Sequence, residues 1–137
     1  YYVLKKEKEV SKTEYEQKIV HLLEKENIDL IVLAGYMKIL GETLLTAFPN
    51  RIINLHPSLL PKFPGKSGIE DAYHSDETET GITIHLVDSG VDTGPIIFQQ
   101  ALVKNQNETL AELETRIHEL EHEFYPKIIA QFIRENV

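Results

Sequence analysis

Leu30-Ile31-Val32-Leu33-Ala34-Gly35, followed some way on by Ile52-Ile53-Asn54-Leu55-His56, is the stretch that sets the class of fold. The first run is short and apolar on both alternating faces, the pattern of a central parallel strand covered on both sides. Ahead of it, Ser11 with Glu14 forms a capping box, and Tyr15, Ile19, Leu22 and Leu23 recur at the spacing of one helix face. A helix over about residues 12–26 is therefore expected, with Asn27 as its stop. A short helix around residues 41–47 separates the two strands. Pro57, Pro61 and Pro64 cannot sit in a central ladder or a helix interior, so residues 57–65 read as an ordered loop.

Farther on, Gly81 to Val87 reads as a strand with more polar alternation. Asp88-Ser89-Gly90-Val91-Asp92-Thr93-Gly94-Pro95 is turn chemistry, and Ile96 to Val103 resumes strand character. Thr109 with Glu112 repeats the capping box, and Leu110, Leu113, Ile117, Leu120 and Phe124 form a core-facing stripe. Pro126 is expected to interrupt that helix, with a further one over residues 127–135. The order read is strand, helix, strand, helix, strand, loop, two strands, helix. That order implies an α/β layered fold with a sheet at least partly parallel; the fold expected is three-layered, a mostly parallel sheet with helices on both faces.

Composition bounds the function. With 137 residues, 42% of them apolar and 26% charged, the chain is the size of one globular domain rather than a disordered tail. No repeat or linker divides it, so residues 1–137 are read as a single domain. It has no cysteine, and so no disulfide, no thiol nucleophile and no cysteine-based zinc site. The net charge of −8 and the absence of a basic run argue against a nucleic-acid or anionic-membrane surface, which needs clustered positive charge. No apolar run approaches the ~20 residues of a membrane span, and the start lacks a signal peptide's apolar stretch, so a soluble, cytoplasmic protein is expected. The only methionine is Met37, which suggests a fragment or a processed chain.

Asn54 and His56 stand two apart on a strand and so share a face, at the C-terminal end where open α/β sheets bind ligands. A carboxamide beside an imidazole suits polarising a carbonyl and stabilising the oxyanion of a tetrahedral intermediate. Asp92, in the glycine-rich turn, is the best loop carboxylate to keep such a histidine protonated. The alternative is that Asn54 and His56 only hydrogen-bond the backbone of the following loop. His118-Glu119-Leu120-Glu121-His122 also matches the H-E-x-x-H zincin pattern, two imidazoles at i and i+4. No histidine follows His122 to complete a zinc site, so no metal is assigned and a zinc hydrolase through His118 and His122 is the weaker reading. His21 and His74 read as surface residues, and His85 as a core or supporting histidine.

Three separated motifs carry a resemblance. Ala34-Gly35-Tyr36-Met37-Lys38-Ile39-Leu40, Ile53-Asn54-Leu55-His56-Pro57-Ser58-Leu59-Leu60-Pro61 and Val91-Asp92-Thr93-Gly94-Pro95, in that order, resemble the phosphoribosylglycinamide formyltransferase family. The likeness runs from about Ser11 to Phe132 and implies a Rossmann-like formyltransferase fold. It further implies a reaction of purine biosynthesis and one-carbon metabolism, formyl transfer from 10-formyltetrahydrofolate to the amine of glycinamide ribonucleotide. Another folate-dependent formyltransferase, or a formyltetrahydrofolate hydrolase, is the alternative on the same scaffold. Asn54, His56 and Asp92 fall on the family's catalytic trio. Its folate-binding positions fall on Lys12, Met37, Lys38, Ile39, Leu40, Asn54 and the turn Asp88, Ser89, Gly90, Val91 and Asp92. Its substrate-contacting helix residues fall on His118, Glu119, Leu120 and Glu121, Glu121 matching best. The family's opening strand and Gly-x-Gly-Ser-Asn phosphate loop have no counterpart in this sequence, so a domain lacking its first βαβ portion is expected. The oligomeric state is left open by the sequence.

Overall fold

The Ser11 hydroxyl accepts the Glu14 amide at 3.1 Å, and helix α1 (Lys12–Lys25) starts one residue past this cap. It stops where Asn27 turns left-handed, φ 57°, and the Ile28 amide returns to the Leu23 carbonyl at 3.0 Å. The chain is seen in a computed structural model that describes residues 11–34, 41–89 and 93–136. The expected strand ahead of α1 falls outside the described residues. Strands β1 (Ile31–Ala34), β2 (Ile52–His56), β3 (Glu79–Leu86) and β4 (Ile96–Val103) form one sheet in the order β1-β2-β3-β4. Helix α2 (Glu42–Ala47) lies between β1 and β2, α3 (Gly68–His74) between β2 and β3, and α4 (Leu110–Asn136) closes the chain.

The α/β layering is as the sequence implies, and alternation along β2 shows why. Ile52 packs with Leu44 and Phe48 and with α1 residues Ile19, Val20 and Leu23. Its neighbour Ile53, together with Leu55, packs on the other face against Leu113, Ile117, Tyr125 and Phe132 of α4. Helices thus cover both faces. The expected mostly parallel sheet is corrected: among the described strands it is mixed. Only β1 and β2 run parallel, with Ile31 opposite Ile52 and Ala34 opposite Leu55, while β2–β3 and β3–β4 are antiparallel. A parallel pair needs a crossover of a dozen or more residues. Residues 35–51 supply one between β1 and β2, whereas residues 87–95 allow only a direct return from β3 to β4.

Two other features differ from the expected order. α4 is one helix through Pro126 rather than two. A proline inside a helix costs ~3 kcal/mol. Leu113, Ile117 and Tyr125 before it and Phe132 after it are all buried in one cluster, and that continuous burial offsets the cost. Helix α3 is not among the expected elements, since the expected loop ends at residue 65. It is only two turns long, too short for a period to show in the sequence, and Ile69 and Tyr73 anchor it on the α4 side of the core.

Glu16 is the least expected core residue. It lies on α1 but is only 4% exposed, and its carboxylate accepts the amides of Gly41 at 2.7 Å and Leu44 at 3.3 Å. The N-cap of α2 is a glycine with no side chain to offer, so α1 supplies the acceptor that the helix start requires. A Cβ at Gly41 would stand 2.6 Å from a Glu16 carboxylate oxygen, so this contact needs glycine there. Among the described residues no helix is long and apolar enough to cross a membrane.

Candidate active site

The alternation that sends Ile53 and Leu55 toward α4 sends Asn54 and His56 to the opposite face. Strand register extends that face: Asn54 lies opposite His85, His56 opposite Thr83, and Thr83 opposite Gln99. A row of polar side chains therefore crosses three strands behind the apolar layer. Asn54, His56, Thr83 and His85 are 6%, 1%, 0% and 2% exposed, so burial obliges them to find partners within the protein. Thr83 shows how this is done. Its hydroxyl donates to the Ser58 carbonyl at 2.6 Å and accepts from the Leu60 amide at 3.1 Å and the Gln99 carboxamide at 3.0 Å. The Gln99 carboxamide also donates to the Leu60 carbonyl at 2.8 Å, so β3 and β4 together grip the loop after His56.

That loop grips His56 in turn. The imidazole Nε2–H donates to the Phe63 carbonyl at 2.7 Å. Ser58, fully buried, donates to the Lys62 carbonyl at 2.6 Å and lies 3.2 Å from the Phe63 carbonyl. For one ring nitrogen, then, the alternative read from sequence is what occurs: His56 bonds the backbone of the following loop. His85 Nδ1 does likewise, donating to the Leu86 carbonyl at 3.0 Å.

On the α4 side of β2 a separate cleft of about 270 Å³ opens, walled by Leu55 and Pro57, the two neighbours of His56. Lys66, Glu70, His118 and Glu121 bring polar groups to it. His118 Nδ1 and a Glu121 carboxylate oxygen are 2.6 Å apart, His118 exposed and Glu121 largely sheltered. The helix positions are thereby sorted. His118 and Glu121 line the cleft, Glu119 is exposed and not among its lining residues, and Leu120 packs against the hydrophobic core. The one-residue offset in a helix turns a side chain by about 100°, which separates neighbours in this way. Among the described residues, no three His, Asp or Glu side chains converge as metal ligands would.

Tyr125 joins α4 to the end of β1 by donating its hydroxyl to the Leu33 carbonyl. Burial, helped by the negative charge of Glu121, pushes its phenol well above the usual tyrosine range, so it remains a neutral donor. Lys12 opens α1 and is exposed. Asp88 accepts from the Thr93 hydroxyl at 2.7 Å, in the return between β3 and β4. Asp88 and Ser89 follow Val87, whose amide donates to the Ile52 carbonyl, so they leave the sheet at the opposite end of β2 from His56. Met37, Lys38, Ile39, Leu40, Gly90, Val91 and Asp92 lie outside the described residues. Thr83, Gln99, Ser58 and Phe63 were not singled out by the sequence. The one available signal was the polar alternation of Thr83 and His85 along β3.

The sequence profile described as Formyl transferase matches residues 2–129 of this chain. The chain belongs to the formyl transferase family. Within that family it is similar to the phosphoribosylglycinamide formyltransferase of Bacillus subtilis (strain 168), 47% identical over 126 residues, covering 92% of this chain and 65% of the relative. It is 38% identical over 123 residues to the trifunctional purine biosynthetic protein adenosine-3 of Drosophila melanogaster, covering 90% of this chain and 9% of that one. The phosphoribosylglycinamide formyltransferase structure from Streptococcus pneumoniae TIGR4 superposes with a TM-score of 0.89 at 48% identity, covering 92% of this chain and 70% of that one. The corresponding structure from Bacillus Halodurans gives 0.87 at 48%, covering 90% and 63%. The chain thus spans less than two thirds of the length of its Bacillus relatives. Its mixed sheet with flanking helices is the Rossmann-like fold of this formyl transferase family.

Proposed function

We propose that this chain carries the formyl-transfer site of a phosphoribosylglycinamide formyltransferase, passing a formyl group from 10-formyltetrahydrofolate to the amine of glycinamide ribonucleotide. The observation that carries this reading is the two-sided end of β2: Asn54 and His56 on a buried polar face, Leu55 and Pro57 on a cleft shared with His118 and Glu121. The co-substrate reaches the strand end from the Asn54–His56 face. The amine substrate occupies the cleft, where Glu121 accepts hydrogen bonds from its polar groups.

The amine nitrogen attacks the formyl carbon and the carbonyl π electrons move onto oxygen. The Asn54 carboxamide and protonated His56 face that oxygen as donors and stabilise the oxyanion. As the intermediate collapses, the C–N bond to the folate nitrogen breaks, that nitrogen takes a proton, and the attacking amine releases one. Asp92, three residues before Pro95, is the carboxylate assigned to orient His56 and to help relay the proton that the amine releases. Acid–base groups of this type contribute roughly 10²–10⁴-fold and one oxyanion donor roughly 10²–10³-fold. His56→Asn and Asp92→Asn are therefore expected to lower kcat/KM for acceptor-dependent formyl transfer by at least about 10²-fold while far-ultraviolet circular dichroism is unchanged. Near-normal turnover in both variants, or no acceptor-dependent transfer by the unaltered chain, overturns the reading.

A further inference from the structure

We propose that Ser58 is a positioning residue for His56: by holding the peptide between residues 62 and 63 it fixes the imidazole with a proton on Nε2, leaving Nδ1 as the nitrogen where a proton comes and goes. The inference rests on the reading of His56 as the acid of formyl transfer, and its test is arranged to fail separately.

The Phe63 carbonyl can only accept, so an imidazole nitrogen 2.7 Å from it must carry a hydrogen in both the neutral and the charged ring. That carbonyl is not where an unconstrained chain would put it. Phe63 has φ 54°, the left-handed region that side chains with a Cβ disfavour. Three contacts hold it. The Ser58 hydroxyl proton goes to the Lys62 carbonyl at 2.6 Å, with the Phe63 carbonyl beside it at 3.2 Å, and the Lys62 amide closes a turn onto the Leu59 carbonyl at 3.0 Å. The Ser58 carbonyl is in turn tied to the sheet by Thr83. Because Ser58 is fully buried, solvent does not supply a replacement donor.

The opposite side of the same hydrogen bond is shaped by Gly68. A Cβ there would stand 3.1 Å from His56 Nε2 and 3.2 Å from the Phe63 carbonyl oxygen, so only glycine leaves the contact undisturbed. Two unconnected positions therefore converge on one ring nitrogen. The chemical consequence is directional. With Nε2 committed to the backbone, protonation of His56 and its exchange with the reacting atoms take place at Nδ1, and the ring is prevented from turning over.

The test is the tautomer itself, read by long-range proton–nitrogen correlation on the chain labelled with ¹⁵N-histidine. The His56 signals are assigned by their loss in His56→Asn. The unaltered chain is expected to keep a proton on Nε2 in both the neutral and the charged ring, with gain and loss of a proton seen at Nδ1 alone. Ser58→Ala and Gly68→Ala, which disturb the contact from opposite sides, are each expected to give a mixture of the two tautomers. Formyl transfer should then fall in kcat by up to about 100-fold, the loss that a misplacement of roughly 1 Å produces, with KM changed far less. A neutral ring with Nε2 bare in the unaltered chain, or a pure Nε2–H ring in both variants, overturns the inference; if Ser58→Ala does not fold, Gly68→Ala decides it. Should His56→Asn keep full transfer while the tautomer shifts as described, the functional reading falls and the positioning of His56 stands.

Discussion

Replacing Thr83 with valine keeps the shape of the side chain and removes only its hydroxyl, so the cost can be worked from three contacts. The donor to the Ser58 carbonyl at 2.6 Å disappears, and the Leu60 amide, 3.1 Å from the lost oxygen, is left buried without that acceptor. The Gln99 carboxamide keeps its second bond, to the Leu60 carbonyl at 2.8 Å, and loses little. An amide stranded in the interior costs about 1–3 kcal/mol and the lost bond to Ser58 about 1 more, a total of about 2–4 kcal/mol. Against a typical stability of about 5–15 kcal/mol this is a large fraction. Urea unfolding followed by circular dichroism measures it as a lower midpoint at unchanged slope. Thr83→Ser is the partner experiment, since it keeps the hydroxyl and removes one methyl, worth about 1 kcal/mol. A valine variant losing less than about 1 kcal/mol, or a serine variant losing more than the valine one, refutes the account of Thr83 as the tie between sheet and loop.

Two further outcomes follow from buried groups. The raised Tyr125 phenol disfavours ionisation in the folded chain relative to the unfolded one, so its contribution is complete below the ordinary value of 10.0 and is lost as pH rises above it. The stability of the unaltered chain should therefore fall more steeply than that of Tyr125→Phe above about pH 10, by up to about 1.4 kcal/mol per pH unit, and parallel curves in thermal unfolding against pH would falsify this. Glu16→Ala strands the Gly41 and Leu44 amides at the start of α2 and should cost about 2–3 kcal/mol, whereas Glu16→Gln, which keeps one acceptor oxygen, should cost less than half of that by urea titration.

Local signals in the sequence were read well where the physics is local. Both N-caps form at the expected spacing, the Glu14 amide donating to the Ser11 hydroxyl and the Glu112 amide to the Thr109 hydroxyl. Asn27 ends α1 in the left-handed turn that asparagine tolerates. Strand β2 and strand β4 lie over the residues expected. The failures share one cause, that partners distant in the chain decided the outcome. Pro126 would end an isolated helix, but burial of Tyr125 and Phe132 on a single core face carries the helix through it. Strand direction could not be taken from apolar runs, because it depends on whether the connecting residues can cross a sheet. Glu16 sits on an amphipathic helix like any solvated acid, and only the arrival of Gly41 beside it makes it a cap.

The candidate site divides in the same way. Period-two spacing alone placed Asn54 and His56 on one face at the end of a strand, since a strand's side chains must alternate. Helical spacing singled out His118 and His122, whereas it is Glu121, one turn from His118, that lies 2.6 Å from it. Tertiary structure decided what each pair meets: that Leu55 and Pro57 share a cleft with the helix pair, and that Thr83 and Gln99 from two other strands hold the loop. It also decided that a backbone carbonyl, on a residue in the left-handed region, takes one nitrogen of His56. Sequence spacing fixes direction along one element, because chain geometry repeats. Which groups meet across elements is set by burial and by the need of every buried donor for an acceptor, and those are properties of the assembled fold.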